Sequence, residues 1–115
     1  MDNNKTKREM KLRSKTQRAA GGVYAVKNTV NDKWLVEETV NMTGSKNRFD
    51  FALKTGSCVI VKIQGDWDRQ NGKGFEFEIL EEIEKIETQT DVEFKEDIKL
   101  LKEIWLEKLS GQELY

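Results

Sequence analysis

Histidine is absent from this 115-residue chain, and proline with it. The first absence removes the commonest general base and the commonest metal ligand, and with them a Cys/His zinc site. The second leaves no Pro-rich linker. The lone cysteine, Cys58, excludes an internal disulfide and suits a reducing compartment. No apolar run approaches the ~20 residues of a membrane span. The N-terminus lacks the apolar segment of a secretory signal, so the expected location is cytoplasmic. Acid–base chemistry is left to Tyr, Lys, Asp, Glu or the one thiol.

What remains is 37% apolar and 36% charged, the balance of a globular domain with one modest core and a heavily charged surface. The charge is unevenly placed. Residues 1 to 27 carry Lys5, Lys7, Arg8, Lys11, Arg13, Lys15, Arg18 and Lys27 against Asp2 and Glu9, whereas carboxylates crowd the chain from Glu76 onward. A basic arm of this kind can touch DNA or RNA, with Lys7, Arg8, Lys11 and Arg13 as candidate contacts. It can also pair with its own acidic half, or with a second copy in a homo-oligomer. The plain alternative is a solvated helix face.

Three regions follow: a basic helix or arm at 1–20, a domain at 21–110 and a tail at 111–115. Residues 3–19 are good helix formers, closed by Ala19-Ala20-Gly21-Gly22 as a helix stop. Residues 22–28 and 33–39 alternate as strands around the turn Asn31-Asp32-Lys33. Thr43-Gly44-Ser45 reads as a turn and cap before a helix at 46–54, with Phe49, Ala52 and Leu53 on one side. Ser57 is the expected N-cap of a second helix, in which Val59, Ile60, Ile63 and Trp67 recur at helical spacing. Asn71-Gly72-Lys73-Gly74 is a turn. Phe75 to Ile79 alternates as a strand, and Phe94, Ile98, Leu101, Trp105 and Leu109 mark a final helix over 91–109. The expected architecture is α/β or α+β: a small three-stranded sheet with a β-hairpin, flanked by helices.

Gly22-Val23-Tyr24, followed by Lys27-Asn28-Thr29 and Asn31-Asp32-Lys33, resembles the first strand and turn of the GIY-YIG nuclease domain. Leu53-Lys54-Thr55-Gly56, Ile63 to Trp67, Asn71-Gly72, Phe75, Phe77, Ile79-Leu80-Glu81 and Trp105 to Leu109 resemble its later elements in order. The resemblance covers about residues 20 to 109. It implies phosphodiester cleavage by the first-strand tyrosine, a second-strand tyrosine, a helix arginine and a glutamate holding Mg²⁺ or Mn²⁺. A phenolate-like oxygen would deprotonate water, while cation and guanidinium stabilise charge on phosphate.

Against that pattern Tyr24 is kept. The Tyr-Ile-Gly triplet has become Leu35-Val36-Glu37, which removes the second tyrosine and puts a carboxylate where close approach to phosphate is needed. Arg48 lies in the right helix, a few residues displaced. Lys102 occupies the position of the metal-binding glutamate; its neighbour Glu103 is turned about 100° around the helix. The histidine often found in the family's first helix falls near Phe49.

The expectation is therefore a GIY-YIG-like domain with a degraded active site and no cofactor, serving as a non-catalytic nucleic-acid- or protein-binding module. Two alternatives stand beside it. One is a divalent-metal endonuclease using Tyr24, Arg48 and Glu103; the other is a structural or oligomerisation module. Each residue also has a bland reading. Tyr24 can be a packing residue. Trp67 and Trp105 fall on apolar stripes, which leaves Trp34 as the candidate exposed aromatic. A helix N-terminus would lower the Cys58 pKa, but the thiol has no histidine to pair with. Of the adjacent Glu37 and Glu38, at most one can join any cation cluster.

Overall fold

A computed structural model describes residues 20–58 and 60–115. The arm, including Lys7, Arg8, Lys11 and Arg13, lies outside the described residues. Strand β1 (Ala20–Asn28) pairs antiparallel with β2 (Lys33–Thr39) on one side and β3 (Phe75–Glu84) on the other, giving the sheet order β2-β1-β3. Helix α1 (Met42–Thr55), a 3-10 turn (Val61–Ile63) and α2 (Gln64–Gln70) separate β2 from β3, and α3 (Asp91–Lys108) closes the order. This is an α+β fold with a three-stranded sheet, as the alternation and helical stripes predict.

Period-two alternation divides the sheet into two differently covered faces. Tyr24 and Val26 of β1 share one face with Leu35 and Glu37 of β2 and Phe77 and Ile79 of β3, which are their register partners. There Val26 and Leu35 join Phe49 and Ala52 of α1, Ile63, Trp67 of α2 and Phe75 in a buried cluster. Val23, Ala25 and Val36 point the other way and are buried. Helix α3 covers that face across β1 and β2, with Phe94 and Ile98 as its buried residues.

The paired glycines, expected as a helix stop, belong to the sheet. Ala20, Gly21 and Gly22 lie within β1, so the strand starts inside the stretch read as the arm. A Cβ on Gly22 would stand 2.1 Å from the Glu81 carbonyl oxygen, and one on Gly21 would stand 2.4 Å from that of Thr39. Both neighbouring strands press on this point, and a side chain here would push them apart.

Other boundaries move for local reasons. Helix α1 begins at Met42, not 46, because the Asn41 side chain accepts the Gly44 N–H at 3.0 Å and so caps the helix earlier. Ser57 caps nothing. Its N–H donates to Thr55 Oγ1, and helical backbone resumes only at Val61. The apolar spacing of Ile60, Ile63 and Trp67 thus comes from a loop, a 3-10 turn and a short helix, all facing the same core. Strand β3 runs on to Glu84, because Ala20 to Val23 pair with its Glu-rich second half. The final helix ends one residue early, with a complete capping box of Thr90 and Glu93 at its start.

Residues 113–115, expected as a tail, return along the outer edge of β2. The Trp34 N–H donates to the Glu113 carbonyl at 3.0 Å, and the Tyr115 N–H donates to that of Trp34 at 2.9 Å. The Tyr115 hydroxyl donates to Asp66 Oδ2 at 2.6 Å and accepts from Asn28 Nδ2 at 2.8 Å. Asn28, fully buried, also exchanges hydrogen bonds with Gln70 in both directions. Every polar atom of its amide that this geometry buries is thereby satisfied.

Candidate active site

A cleft of about 50 Å³ opens between β1, α1, α2 and the loop before the 3-10 turn, lined by Tyr24, Ser45, Arg48, Cys58 and Ile60 among others. Strand β1 supplies Tyr24, which is half-buried because its ring stacks on Phe77 at 4.7 Å between centroids. Helix α1 supplies Ser45 and Arg48, one turn apart on the same flank. The exposed guanidinium donates from Nη2 to Ser45 Oγ at 3.1 Å, and Ser45 donates on to Thr39 Oγ1 at 2.9 Å. By sequence Ser45 belongs to a turn, whereas the structure makes it part of α1. Its one available signal was the i, i+3 spacing to Arg48.

The electrostatics disfavour a phenolate. Burial, and then the Glu37 carboxylate, raise the Tyr24 pKa above its ordinary 10.0, against smaller opposing effects from the Ser45 hydrogen bond and Arg48. Glu37 exerts this influence because the register sets it directly across the strand pair from Tyr24. It also lies 4.0 Å from the Lys62 ammonium. Leu35, where the resemblance asks for a second tyrosine, is 1% exposed and fills the aromatic core. Phe49, where a histidine would stand, packs edge-on to Trp67. Cys58 is no activated thiol: burial raises its pKa above the ordinary 9.0.

Glu103 is not brought to this cleft. It is an exposed residue of α3, the helix on the opposite face of the sheet, beside a half-buried Lys102. No group of three Asp, Glu, Cys or His that could hold a metal ion occurs among the described residues. Near Tyr24 the donor set offers one carboxylate, Glu37, already paired with a lysine. The glutamate expected to hold a cation, Glu103, thus stands apart from Tyr24 and Arg48, on the other face of the sheet.

The tryptophans are accounted for by packing. Trp67 is buried, with its ring N–H donated to the Gly56 carbonyl at 3.1 Å. Trp105 donates to Glu81 Oε1 at 2.8 Å. Trp34, expected as the exposed aromatic, is half-covered by Lys27, whose ammonium sits 4.0 Å from the ring centroid.

No known family profile and no curated protein matches the chain. Among solved structures, the chain is similar to a glutamate-to-alanine mutant of the catalytic domain of intron endonuclease I-TevI. The TM-score is 0.56 at 27% identity, over 79% of this chain and 84% of that one. A second structure, the catalytic domain of homing endonuclease I-TevI, aligns at TM-score 0.49 and 26% identity, over 78% and 88% of the two chains. With Tyr24 on the central strand of a β2-β1-β3 sheet and helices on both faces, the chain has a GIY-YIG-like fold.

Proposed function

We propose that this chain is a GIY-YIG-like domain that binds nucleic acid without cutting it. The observation that carries the reading is the Tyr24–Glu37 pair. The one retained tyrosine faces a carboxylate that raises its pKa, and Glu103 stands on the opposite face of the sheet from their cleft. A general base must be easy to deprotonate near working pH, and this one is harder to deprotonate than free tyrosine. Nucleic acid is favoured over a protein partner by the charge on the cleft side. Residues 42–73, which build that side, hold six Lys or Arg against three Asp or Glu, whereas residues 74–115 hold five against thirteen. The arm residues Lys7, Arg8, Lys11 and Arg13 would add to the same attraction.

One observation favours a second reading, a divalent-metal endonuclease: Tyr24 and Arg48 line the same cleft. A single experiment separates the two. The purified 115-residue chain is incubated with labelled single- and double-stranded DNA and RNA in Mg²⁺, Mn²⁺ or EDTA, and read for cleavage and for mobility shift. The expected result is a shift that weakens steeply with salt, weakens further when Lys7, Arg8, Lys11 and Arg13 become Ser, and comes with no cuts. Metal-dependent cuts that vanish in Tyr24→Phe would establish the endonuclease. No shift on any of the substrates would turn the assignment to a protein-binding module.

A further inference from the structure

Helix α1 turns Met42, Ser45, Phe49 and Ala52 inward and exposes the remainder of its surface. On that surface stands Phe51, 65% exposed. A single exposed phenylalanine is ordinary on a protein surface. Its setting is less so. Arg48 precedes it by three residues and Lys54 follows it by three, so a cation lies one turn to either side of the ring along the helix. Neither Arg48 nor Lys54 has a carboxylate within 4.0 Å among the described residues. The helix's one acidic residue, Asp50, is held at 3.2 Å by Lys46. Arg48 also lines the cleft beside Tyr24, which makes the ridge continuous with it.

From this arrangement we infer that the Arg48–Phe51–Lys54 ridge is a binding platform for single-stranded nucleic acid. Phe51 stacks on a base while the two cations take flanking phosphates. The inference rests on the nucleic-acid reading above and narrows it to one class of ligand. Alternation of a π face with cations at one-turn spacing suits a strand whose bases are free to splay onto it; in a duplex both faces of each base are already covered by its neighbours. Charge complementarity selects this ligand over an apolar peptide, which would leave Arg48 and Lys54 unpaired at the contact.

The test uses the 115-residue chain and three variants, Phe51→Ala, Phe51→Trp and Leu53→Ala. Affinity is measured by fluorescence anisotropy on a labelled single strand and on the matching duplex. Leu53 is on the same helix and 45% exposed, so it serves as the control for losing exposed apolar surface. The expected result is a loss of roughly tenfold or more in single-strand affinity for Phe51→Ala. Phe51→Trp should keep or improve that affinity, Leu53→Ala should match the parent, and duplex affinity should move less than about twofold. A parent that binds single strands no worse after Phe51→Ala overturns the platform and leaves the nucleic-acid reading standing. So does an equal loss on strand and duplex. A parent that binds neither overturns both. Phe51 is exposed, so unchanged thermal melts are expected to accompany the affinity loss, which separates it from misfolding.

Discussion

On the cleft face of the sheet, the core is aromatic and its rings meet in sequence. Tyr24 stacks on Phe77, Phe77 tilts against Phe49, Phe49 meets Trp67 edge-on, and Trp67 leans on Phe75. On the far face the core is smaller and mainly aliphatic, with Val23, Ala25 and Val36 under Phe94 and Ile98 of a single long helix. The surfaces differ as well. The cleft side is net basic, and the β3–α3 side is strongly acidic. The far face thus serves to hold the sheet, and glutamates on both faces of the edge strand β3, among them Glu76, Glu78 and Glu82, discourage another chain from adding to it. The cleft face keeps an opening over an aromatic floor, with the Arg48 guanidinium among its lining groups. The binding proposed above would depend on that floor and that charge; cleavage would depend on groups which one or two substitutions can remove.

The largest test of this contrast is to hollow out each face in turn. Trp67→Ala should cost about 3–5 kcal/mol and Ile98→Ala about 2–5 kcal/mol by chemical denaturation. The two should differ in kind. Trp67→Ala should weaken nucleic-acid binding in the fraction that remains folded, because the cleft loses its floor. Ile98→Ala should leave that binding intact. Equal damage to binding by both would mean that the faces do not divide the work. A smaller effect tests how α3 is fixed. Thr90→Ala removes the capping-box hydroxyl and should cost about 1 kcal/mol, with no change at the cleft. The smallest concerns Tyr24. Its pKa is raised in the folded chain, so its contribution to stability is complete below pH 10 and declines as pH climbs through the raised value. Tyr24→Phe should flatten that alkaline decline in thermal melts. Glu37→Gly should reduce it only in part, since burial is the larger cause.

Much of this organisation is legible in the sequence. The alternation Phe75-Glu76-Phe77-Glu78 and the stripe Phe94, Ile98, Leu101, Trp105 locate β3 and α3, because burial on one face writes a period into the chain. Features that depend on neighbours distant in sequence are hidden. Gly21-Gly22 looks like a helix stop, because nothing local reveals two flanking strands pressing on it. Glu81 and Glu82 conceal the second half of β3, which is a strand only because β1 extends to meet it. Gly44 resembles a helix breaker until Asn41 is seen to cap the turn containing it. At the site, Tyr24 and Arg48 could be read from position in the chain, and the structure sets both on one cleft. The opposition of Glu37 to Tyr24 needed the strand register, and the bridging of Ser45 between Arg48 and Thr39 needed the helix to begin four residues early.

The return of residues 113–115 along β2 also bears on the order of assembly. The hairpin and its partner helix join residues close in the chain, and such contacts close quickly. The bonds from Trp34 to Glu113 and from Tyr115 to Trp34, like those of Tyr115 with Asn28, span about eighty residues and must wait for the entropy of that long loop to be offset. They complete a structure whose other parts are already in place, like a clasp on a closed case. Opening the clasp would uncover the backbone edge of β2, and it would also lift the Tyr115 ring from the cleft-face core and take a partner from buried Asn28, so the clasp and that core should loosen together.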